Sequence, residues 1–169
     1  MSYRDRLAIE ILNKIELIIY DFDGVLTDNR VYVDQEGREM VQVNRADGLG
    51  ISELQQLGIK QLIISTEENP VVTVRARKLG LPCLQGVMDK ALALTKYCSS
   101  QKFLLERVAY VGNDINDLEA MQISGMSLCP TDAHPRIKQI VTHVLNTKGG
   151  GGVARELLDL FINQTQTKD

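Results

Sequence analysis

The sequence predicts an α/β protein whose parallel sheet lies between two layers of helices, a three-layer doubly wound arrangement. Short apolar runs alternate along the chain with segments of helical periodicity, which is typical of successive βαβ units. The 169 residues are 44% apolar and 24% charged, the composition of an ordinary globular domain. Neither an internal repeat nor a Pro/Gly/Ser-rich linker divides the chain, so we expect one domain over residues 1–169.

Five continuous apolar runs predict the strands, because strands of a parallel sheet are covered on both faces. These runs occupy residues 17–20, 62–64, 108–111, 126–128 and 143–145.

Capping residues predict where the intervening helices begin and end. Asn69 and Pro70 are typical of a helix start, and Gly80 of its end. Asp89 is a candidate N-cap for a helix over 90–99. Further helical patterns cover 48–57, 116–123, 135–140 and 153–162.

One segment departs from this alternation. Residues 30–43 contain two β-patterned runs around a turn with Gly37, which predicts a β-hairpin within 29–44. The hairpin follows the first strand closely and should project from its carboxyl end, where α/β proteins bind ligands.

Charge and composition exclude several functional classes. The chain has 19 basic and 22 acidic residues and a net charge of −3, so we expect no nucleic-acid partner and no polybasic membrane anchor. The longest apolar runs are strand-sized, and residues 1–6 lack the apolar core of a secretion signal, so the expected location is the cytoplasm. Three dispersed cysteines and two histidines indicate neither a disulfide framework nor a zinc site.

Two carboxylates follow the first predicted strand directly. Asp21 and Asp23 flank Phe22, and Gly24 then permits a tight turn. Two adjacent negative charges favour a cation between them, and Mg²⁺ prefers such oxygen ligands. Taken alone, the pair fits an acidic capping turn equally well.

Further polar residues are predicted near the same edge of the sheet. Ser65 ends the second strand, and Lys90 lies in the first turn of its helix, where with the helix N-terminus it could hold an anion. Asn113, Asp114 and Asp117 follow the strand 108–111. Each feature alone also fits a turn, a surface lysine or a helix cap, and Asp117 fits a residue that holds its loop.

The order Asp-x-Asp, Ser, Lys, Gly-Asn-Asp resembles the haloacid dehalogenase superfamily of phosphotransferases, over about residues 16–161. The resemblance implies the Rossmann-like fold of that superfamily and a Mg²⁺ cofactor. It implies that Asp21 is a nucleophile that forms an aspartyl-phosphate, and that Asp23 is the general acid and base and offers Mg²⁺ its carbonyl. Ser65 and Lys90 would hold the phosphoryl group.

One position departs from the superfamily pattern. Many relatives have Asp where this chain has Asn113, and that residue usually supplies the third protein ligand of the metal. An amide oxygen can serve with one negative charge fewer, so weaker binding is expected. Asp114 is the alternative ligand, and if neither serves, the domain is expected to be a poor catalyst.

The segments between Asp23 and Ser65 and between Ser65 and Lys90 are too short for an inserted cap domain of about 50 residues. The chain therefore resembles a capless member of the superfamily. Its hairpin, the stretch 44–48 and the glycine-rich 149–152 resemble the 3-deoxy-D-manno-octulosonate 8-phosphate phosphatases, a family that includes phosphatases of nine-carbon ulosonate 9-phosphates. The resemblance implies a phosphorylated acidic sugar as substrate, and a homotetramer in which neighbouring subunits complete the sites.

Basic residues on the helix 69–79 are candidates for the substrate carboxylate: Arg75 and Lys78 share a face, although a solvated basic face fits the same pattern. Arg45, in the stretch 44–48, is a further substrate-binding candidate. Glu67 could reach a sugar hydroxyl or amine. Octulosonate enzymes typically have Thr-Gly-Arg where this chain has Ser-Thr-Glu at 65–67, which favours a nine-carbon substrate.

The C-terminal segment 147–169 combines the glycine run with a helix. The run fits either a flexible tail or a set of backbone amides that closes on a ligand, and we favour a mobile closing segment.

Three alternative functions remain for the whole chain. In a signalling receiver domain the functional lysine follows all of the acidic residues of the site. Here Lys90 precedes Asp114, which disfavours this alternative. A weakly active or non-catalytic oligomerisation domain, like the one associated with sialate cytidylyltransferases, is consistent with Asn113. A generalist sugar or nucleotide phosphatase is the third.

Overall fold

Eight strands form two sheets in the computed structural model, which describes residues 11–165. The strands are β1 Leu17–Tyr20, β2 Thr27–Val33, β3 Glu39–Val43, β4 Lys60–Ile64, β5 Cys83–Leu84, β6 Val108–Val111, β7 Met126–Cys129 and β8 His143–Val144. Residues 1–6, considered above for a secretion signal, and the end of the predicted segment 147–169 lie outside the described residues. Within residues 11–165, no helix is both long and apolar enough to cross a membrane.

The main sheet has the order β5-β4-β1-β6-β7-β8, and every pair of neighbours is parallel. β1 lies centrally, and Tyr20 at its end is in register with Ile63 of β4 and Val111 of β6. The chain builds outward through β4 and β5 on one side and then through β6, β7 and β8 on the other. The carboxyl ends of β1, β4 and β6 thus meet at the point where the strand order reverses, the usual location of a ligand site in such sheets.

Helices cover both faces of this sheet, as the sequence predicts. They are α1 Arg45–Gln56, α2 Val71–Leu79, α3 Lys90–Gln101, α4 Leu118–Ile123, α5 Pro135–Ile140 and α6 Val153–Thr165. One apolar cluster joins α1, α2 and α6 to the sheet through side chains such as Ile18 and Tyr20. The other joins α3, α4 and α5 through Leu17 and Ile19. The strict alternation of β1 side chains between the two clusters produces the three layers.

The helix starts differ from the prediction at three places, and the smallest difference is in α2, which begins at Val71 rather than at Pro70. α1 begins three residues earlier than the apolar pattern indicates, because the Asn44 side chain accepts a hydrogen bond from Ala46 N and caps it. α4 begins at Leu118 rather than at 116, since residues 115–117 form a 3₁₀ turn capped by Asp114.

β2 and β3 form the predicted antiparallel hairpin as a separate two-stranded sheet. The pairing register shifts between Thr27 and Val31, and Asn29 within that irregularity has a φ of 64°. Three apolar side chains of β2 and one of β3 are largely exposed on this hairpin in the single chain: Val31, Tyr32, Val33 and Met40.

The glycine run at 149–152 is packed on the loop that follows β1. A Cβ on Gly149 would lie 2.2 Å from the Gly24 carbonyl oxygen, so only glycine permits this approach. Gly149 N donates to Asp132 Oδ1, and Gly150 N donates to Val25 O. The expectation of a backbone-amide cradle is therefore wrong for these two residues, because their N–H groups already bind protein acceptors.

Candidate active site

Asp21 follows the central strand and is buried at the edge of the sheet where the three strand ends meet. Its backbone N donates to Val111 O, and its side chain accepts from Phe22 N at 2.7 Å. The chain then turns through residues 22–26. Gly24 has a φ of 78°, and a Cβ there would overlap the Asn113 side chain, so glycine is required on both counts.

Lys90 joins two buried carboxylates. Its Nζ lies 2.8 Å from Asp21 Oδ1 and 2.7 Å from Asp117 Oδ1, and all three side chains are buried. Burial lowers the pKa of Lys90, but the two carboxylates outweigh it and raise the pKa overall. Burial, and next the charge of Asp117, act to raise the pKa of Asp21, whereas the charge of Lys90 and its hydrogen bond act to lower it. The ammonium group thus stabilises two negative charges that would otherwise repel each other.

Asp117 uses both oxygens to hold the loop after β6. Its Oδ1 accepts from Lys90 Nζ and from the Tyr110 hydroxyl at 3.1 Å. Its Oδ2 accepts from Asn113 N at 2.9 Å and Asp114 N at 3.3 Å. With these four donors, Asp117 fixes the loop and has no free side for a cation.

The side-chain amide of Asn113 faces two oxygen atoms of the first loop. One of its terminal atoms lies 2.9 Å from the Asp23 carbonyl oxygen and 3.3 Å from Asp21 Oδ2. With its nitrogen turned inward, the amide donates to both oxygens. With its oxygen turned inward, three oxygens converge, which is unfavourable unless a cation lies among them. A carboxylate, a backbone carbonyl and an amide oxygen are ligands of the kind that Mg²⁺ takes, so the chemistry of these residues fits Mg²⁺.

Asp114 is placed differently from Asn113. It is exposed, and its Oδ1 accepts from Ile115 N at 2.7 Å. Within residues 11–165, no group of three His, Cys, Asp or Glu side chains is arranged to bind a metal. The oxygen set described above differs from such a group because it includes an amide and a backbone carbonyl.

A cavity of about 400 Å³ opens over these groups. Asp23 lines it half-buried, and burial raises the pKa of this carboxyl, while a hydrogen bond from Thr27 lowers it and the nearby Glu67 raises it. Ser65 is buried at the end of β4, and its Oγ accepts from Glu67 N at 3.1 Å. The complete lining is Asp21, Asp23, Asn29, Ser65, Thr66, Asn113, Asp114 and Asn116.

Sequence reasoning missed Asn29, Thr66 and Asn116 as lining residues. Thr66 and Asn116 lie within stretches already singled out, so their positions carried a signal. Asn29 had none, because its place depends on the irregular pairing at the base of the hairpin.

The candidate substrate residues fall in two places. Arg45, Arg75 and Lys78 line a second cavity of about 350 Å³, together with Val43, Gly48 and Leu79. Arg75 Nη2 also donates to Asn44 O at 2.9 Å. Glu67 is outside this group, and its Oε1 accepts from Glu68 N and Asn69 N at 2.8 and 2.7 Å.

Comparison with known proteins gives consistent matches. A family model described as haloacid dehalogenase-like hydrolase matches residues 54–157. The chain is 34% identical over 158 residues to the 3-deoxy-D-manno-octulosonate 8-phosphate phosphatase of Haemophilus influenzae, which covers 93% of this chain and 87% of that protein.

Two solved structures superpose closely. A haloacid dehalogenase family protein of Streptomyces avermitilis is 44% identical with a TM-score of 0.86, over 88% of this chain and 86% of that one. The 3-deoxy-D-manno-octulosonate 8-phosphate phosphatase of Moraxella catarrhalis, in complex with magnesium, phosphate and the sugar acid, is 28% identical with a TM-score of 0.90, over 95% and 92% of the two chains.

Proposed function

Since this chain belongs to the haloacid dehalogenase-like hydrolases and is a phosphatase, we propose that it hydrolyses the phosphate ester of a 3-deoxy-2-ulosonic acid through an aspartyl-phosphate. The observation that carries the proposal is the buried contact of Lys90 with Asp21 and Asp117, because Asp21 also lines a polar cavity. A nucleophilic carboxylate that is held by a cation and lines a polar cavity suits phosphoryl transfer.

The proposed reaction has two displacements. In the first, a carboxylate oxygen of Asp21 attacks phosphorus, the bond from phosphorus to the sugar oxygen breaks, and Asp23 gives that oxygen a proton. In the second, Asp23 as carboxylate takes a proton from water, which attacks phosphorus and breaks the bond to Asp21. Ser65 and Lys90 would hold the phosphoryl oxygens in both displacements.

We propose that Asp21, the Asp23 carbonyl and the Asn113 amide oxygen hold Mg²⁺. When bound, Mg²⁺ neutralises negative charge on the phosphoryl group. Asn113 is preferred to Asp114 because its amide is next to both other oxygens, whereas Asp114 is exposed and caps its own loop.

For the substrate we favour a sialic-acid-like nonulosonate 9-phosphate. Glu67 is close enough to raise the pKa of Asp23, and a carboxylate beside the cavity suits a sugar hydroxyl or amine. The cavity lined by Arg45, Arg75 and Lys78 suits a carboxylate, because cationic side chains bind such anions. The second candidate is octulosonate 8-phosphate, which is supported by the name of the Haemophilus influenzae relative.

The test is release of phosphate, with and without Mg²⁺, from both ulosonate phosphates and from common sugar and nucleotide phosphates. Asp21→Asn is the matched control, since it keeps size and removes the nucleophile. Turnover of one ulosonate phosphate that needs both Mg²⁺ and Asp21 supports the proposal. Equal rates across the panel would indicate a generalist phosphatase. Absence of phosphate release from every substrate, with a folded protein, would indicate a non-catalytic assembly domain.

We further propose a homotetramer in which hairpins pack together and neighbouring subunits complete the sites. The support is the apolar hairpin surface, where Tyr32 is 66% and Met40 63% exposed in the single chain. Sedimentation should give a tetramer for the wild type and smaller species for Tyr32→Lys. Leu104→Lys, which replaces an exposed apolar residue before β6, at the opposite edge of the sheet from the hairpin, should remain tetrameric. A monomeric wild type, or equal dissociation of both variants, would contradict the proposal.

We also propose that residues 1–169 form a single phosphatase domain that works in the cytoplasm. Free Cys83, Cys98 and Cys129 support this location, because thiols stay reduced there. Limited proteolysis and cell fractionation test the two statements; an internal stable fragment or an exported protein would contradict them.

A further inference from the structure

Thr27 has a fully buried hydroxyl at the junction between the catalytic loop and the hairpin. Gly24 N and Asn29 N each donate a hydrogen bond to Thr27 Oγ1 at 3.2 Å. The hydroxyl in turn donates to Asp23 Oδ1 at 3.2 Å. Three polar groups thus converge on one side-chain oxygen, and one of them is the proposed general acid and base.

The pattern of donors fixes the direction of the hydroxyl proton. A threonine hydroxyl has one proton to donate and two lone pairs to accept. Two backbone N–H groups, which can only donate, occupy both lone pairs. The single proton of Thr27 therefore points to Asp23 Oδ1. Asp23 cannot instead donate a proton to Thr27 Oγ1, because that oxygen has no free lone pair.

This direction has a consequence for Asp23. An oxygen that accepts the Thr27 proton is the wrong place for a second proton, because two hydrogens would then face each other. A protonated Asp23 accordingly carries its proton on Oδ2. We propose that Thr27 is a positioning residue that confines the transferable proton of Asp23 to Oδ2 and holds that carboxyl in its rotamer. The proposal rests on the role of Asp23 as general acid.

The distinguishing experiment uses two classes of substrate. A sugar phosphate releases a basic alkoxide that needs a proton from the acid, whereas p-nitrophenyl phosphate releases a weakly basic anion that does not. The measured quantity is kcat/KM, because it reports the steps up to the first phosphoryl transfer and omits the second displacement. A general acid contributes about 10²- to 10⁴-fold, so loss of its orientation should remove about 10- to 100-fold.

Thr27→Val keeps the shape and removes the hydroxyl, and Thr27→Ser restores the hydroxyl without the methyl group. We expect Thr27→Val to lower kcat/KM for the ulosonate phosphate about 10- to 100-fold and for p-nitrophenyl phosphate less than about 3-fold. Thr27→Ser should recover most of the loss. Equal losses on both substrates would overturn the inference and leave Thr27 a structural residue.

Two controls keep the result interpretable. Thr27→Val leaves two buried N–H groups unpaired, so circular dichroism checks its fold. If it does not fold, Thr27→Cys replaces it, because a thiol is a weaker donor of similar size. A loss of kcat/KM confined to the ulosonate phosphate is again expected, and equal losses on both substrates would again overturn the inference. A wild type that hydrolyses neither substrate, like Asp21→Asn, means that the proposed function has failed. An active wild type with equal losses in the variant contradicts only the role of Thr27.

Discussion

Asp47 offers a stability measurement with a defined sign. It lies in the first turn of α1 and is 1% exposed; its Oδ1 accepts from Ala154 N at 2.8 Å, whereas its buried Oδ2 has no hydrogen-bond partner. Burial raises the pKa of this carboxyl from 3.8 to about 6, against the lowering effects of Ala154 N and Arg75. The folded protein therefore keeps a proton between these two pKa values that the unfolded chain releases.

The sign follows from that difference. Stability from protonated Asp47 is fully present below the unfolded pKa and is lost as the pH rises through about 6. The difference between the folded pKa of about 6 and the unfolded value of 3.8 corresponds to about 3 kcal/mol of folding stability once the loss is complete. Asp47→Asn keeps an acceptor for Ala154 N and removes the titration, so it removes this pH-dependent loss.

Urea unfolding at several pH values tests this reasoning. The free energy of unfolding of Asp47→Asn minus that of wild type should rise by about 2.5 kcal/mol between pH 4 and pH 8. That is equivalent to about 5–10 °C in Tm for a domain of this size. Asp159→Asn, at an exposed carboxylate of α6, should show a nearly constant difference. A constant difference for Asp47→Asn, or one that falls with pH, would refute the argument.

Four further predictions concern two glycines and two residues of the site. In α1, Gly48→Ala should stabilise the protein by up to about 1 kcal/mol in urea unfolding, because the nearest atom lies 3.6 Å from the new Cβ. Gly50→Ala in the same helix should destabilise it by about 1–3 kcal/mol, since its Cβ would lie 2.5 Å from Ala154 O; equal effects would contradict both. Lys90→Met should abolish turnover and destabilise by about 3–5 kcal/mol, because two buried carboxylates lose their cation; a change under about 1 kcal/mol would be contrary evidence. Asn113→Asp should tighten Mg²⁺ binding measured by calorimetry, and an unchanged affinity would remove this residue from the ligand set.

Local signals in the sequence were sufficient for most of the fold. Asp89 caps α3 through a hydrogen bond from Leu92 N, and Gly80 ends α2 with a φ of 68°, both at the predicted positions. β5, Cys83–Leu84, was missed because Pro82 and Gln85 flank it and leave no continuous apolar run of three residues. It exists only through its pairing with β4, in which Ile63 is in register with Cys83.

The residues of the candidate site also divide into those that the sequence indicates and those that it does not. Asp21, Ser65, Lys90 and Asn113 could be selected from sequence because each follows a strand or begins a helix at one edge of the sheet. The role of Tyr110, whose hydroxyl donates to Asp117, depends on a contact that strand periodicity cannot reveal. Strand patterns specify where the backbone goes, whereas such hydrogen bonds depend on distances between side chains.

The one departure from the superfamily pattern has a physical consequence for the fold itself. Asp21 and Asp117 already place two buried carboxylates around the single cation of Lys90. A carboxylate in place of the Asn113 amide would add negative charge within 3.3 Å of Asp21 Oδ2, which is strongly unfavourable in a buried environment unless Mg²⁺ is bound. The neutral amide instead donates to these oxygens when no cation lies between them. If Mg²⁺ binds as proposed, Asn113 would attract the ion less strongly than a carboxylate and, for the same reason, would make the stability of the site less dependent on it.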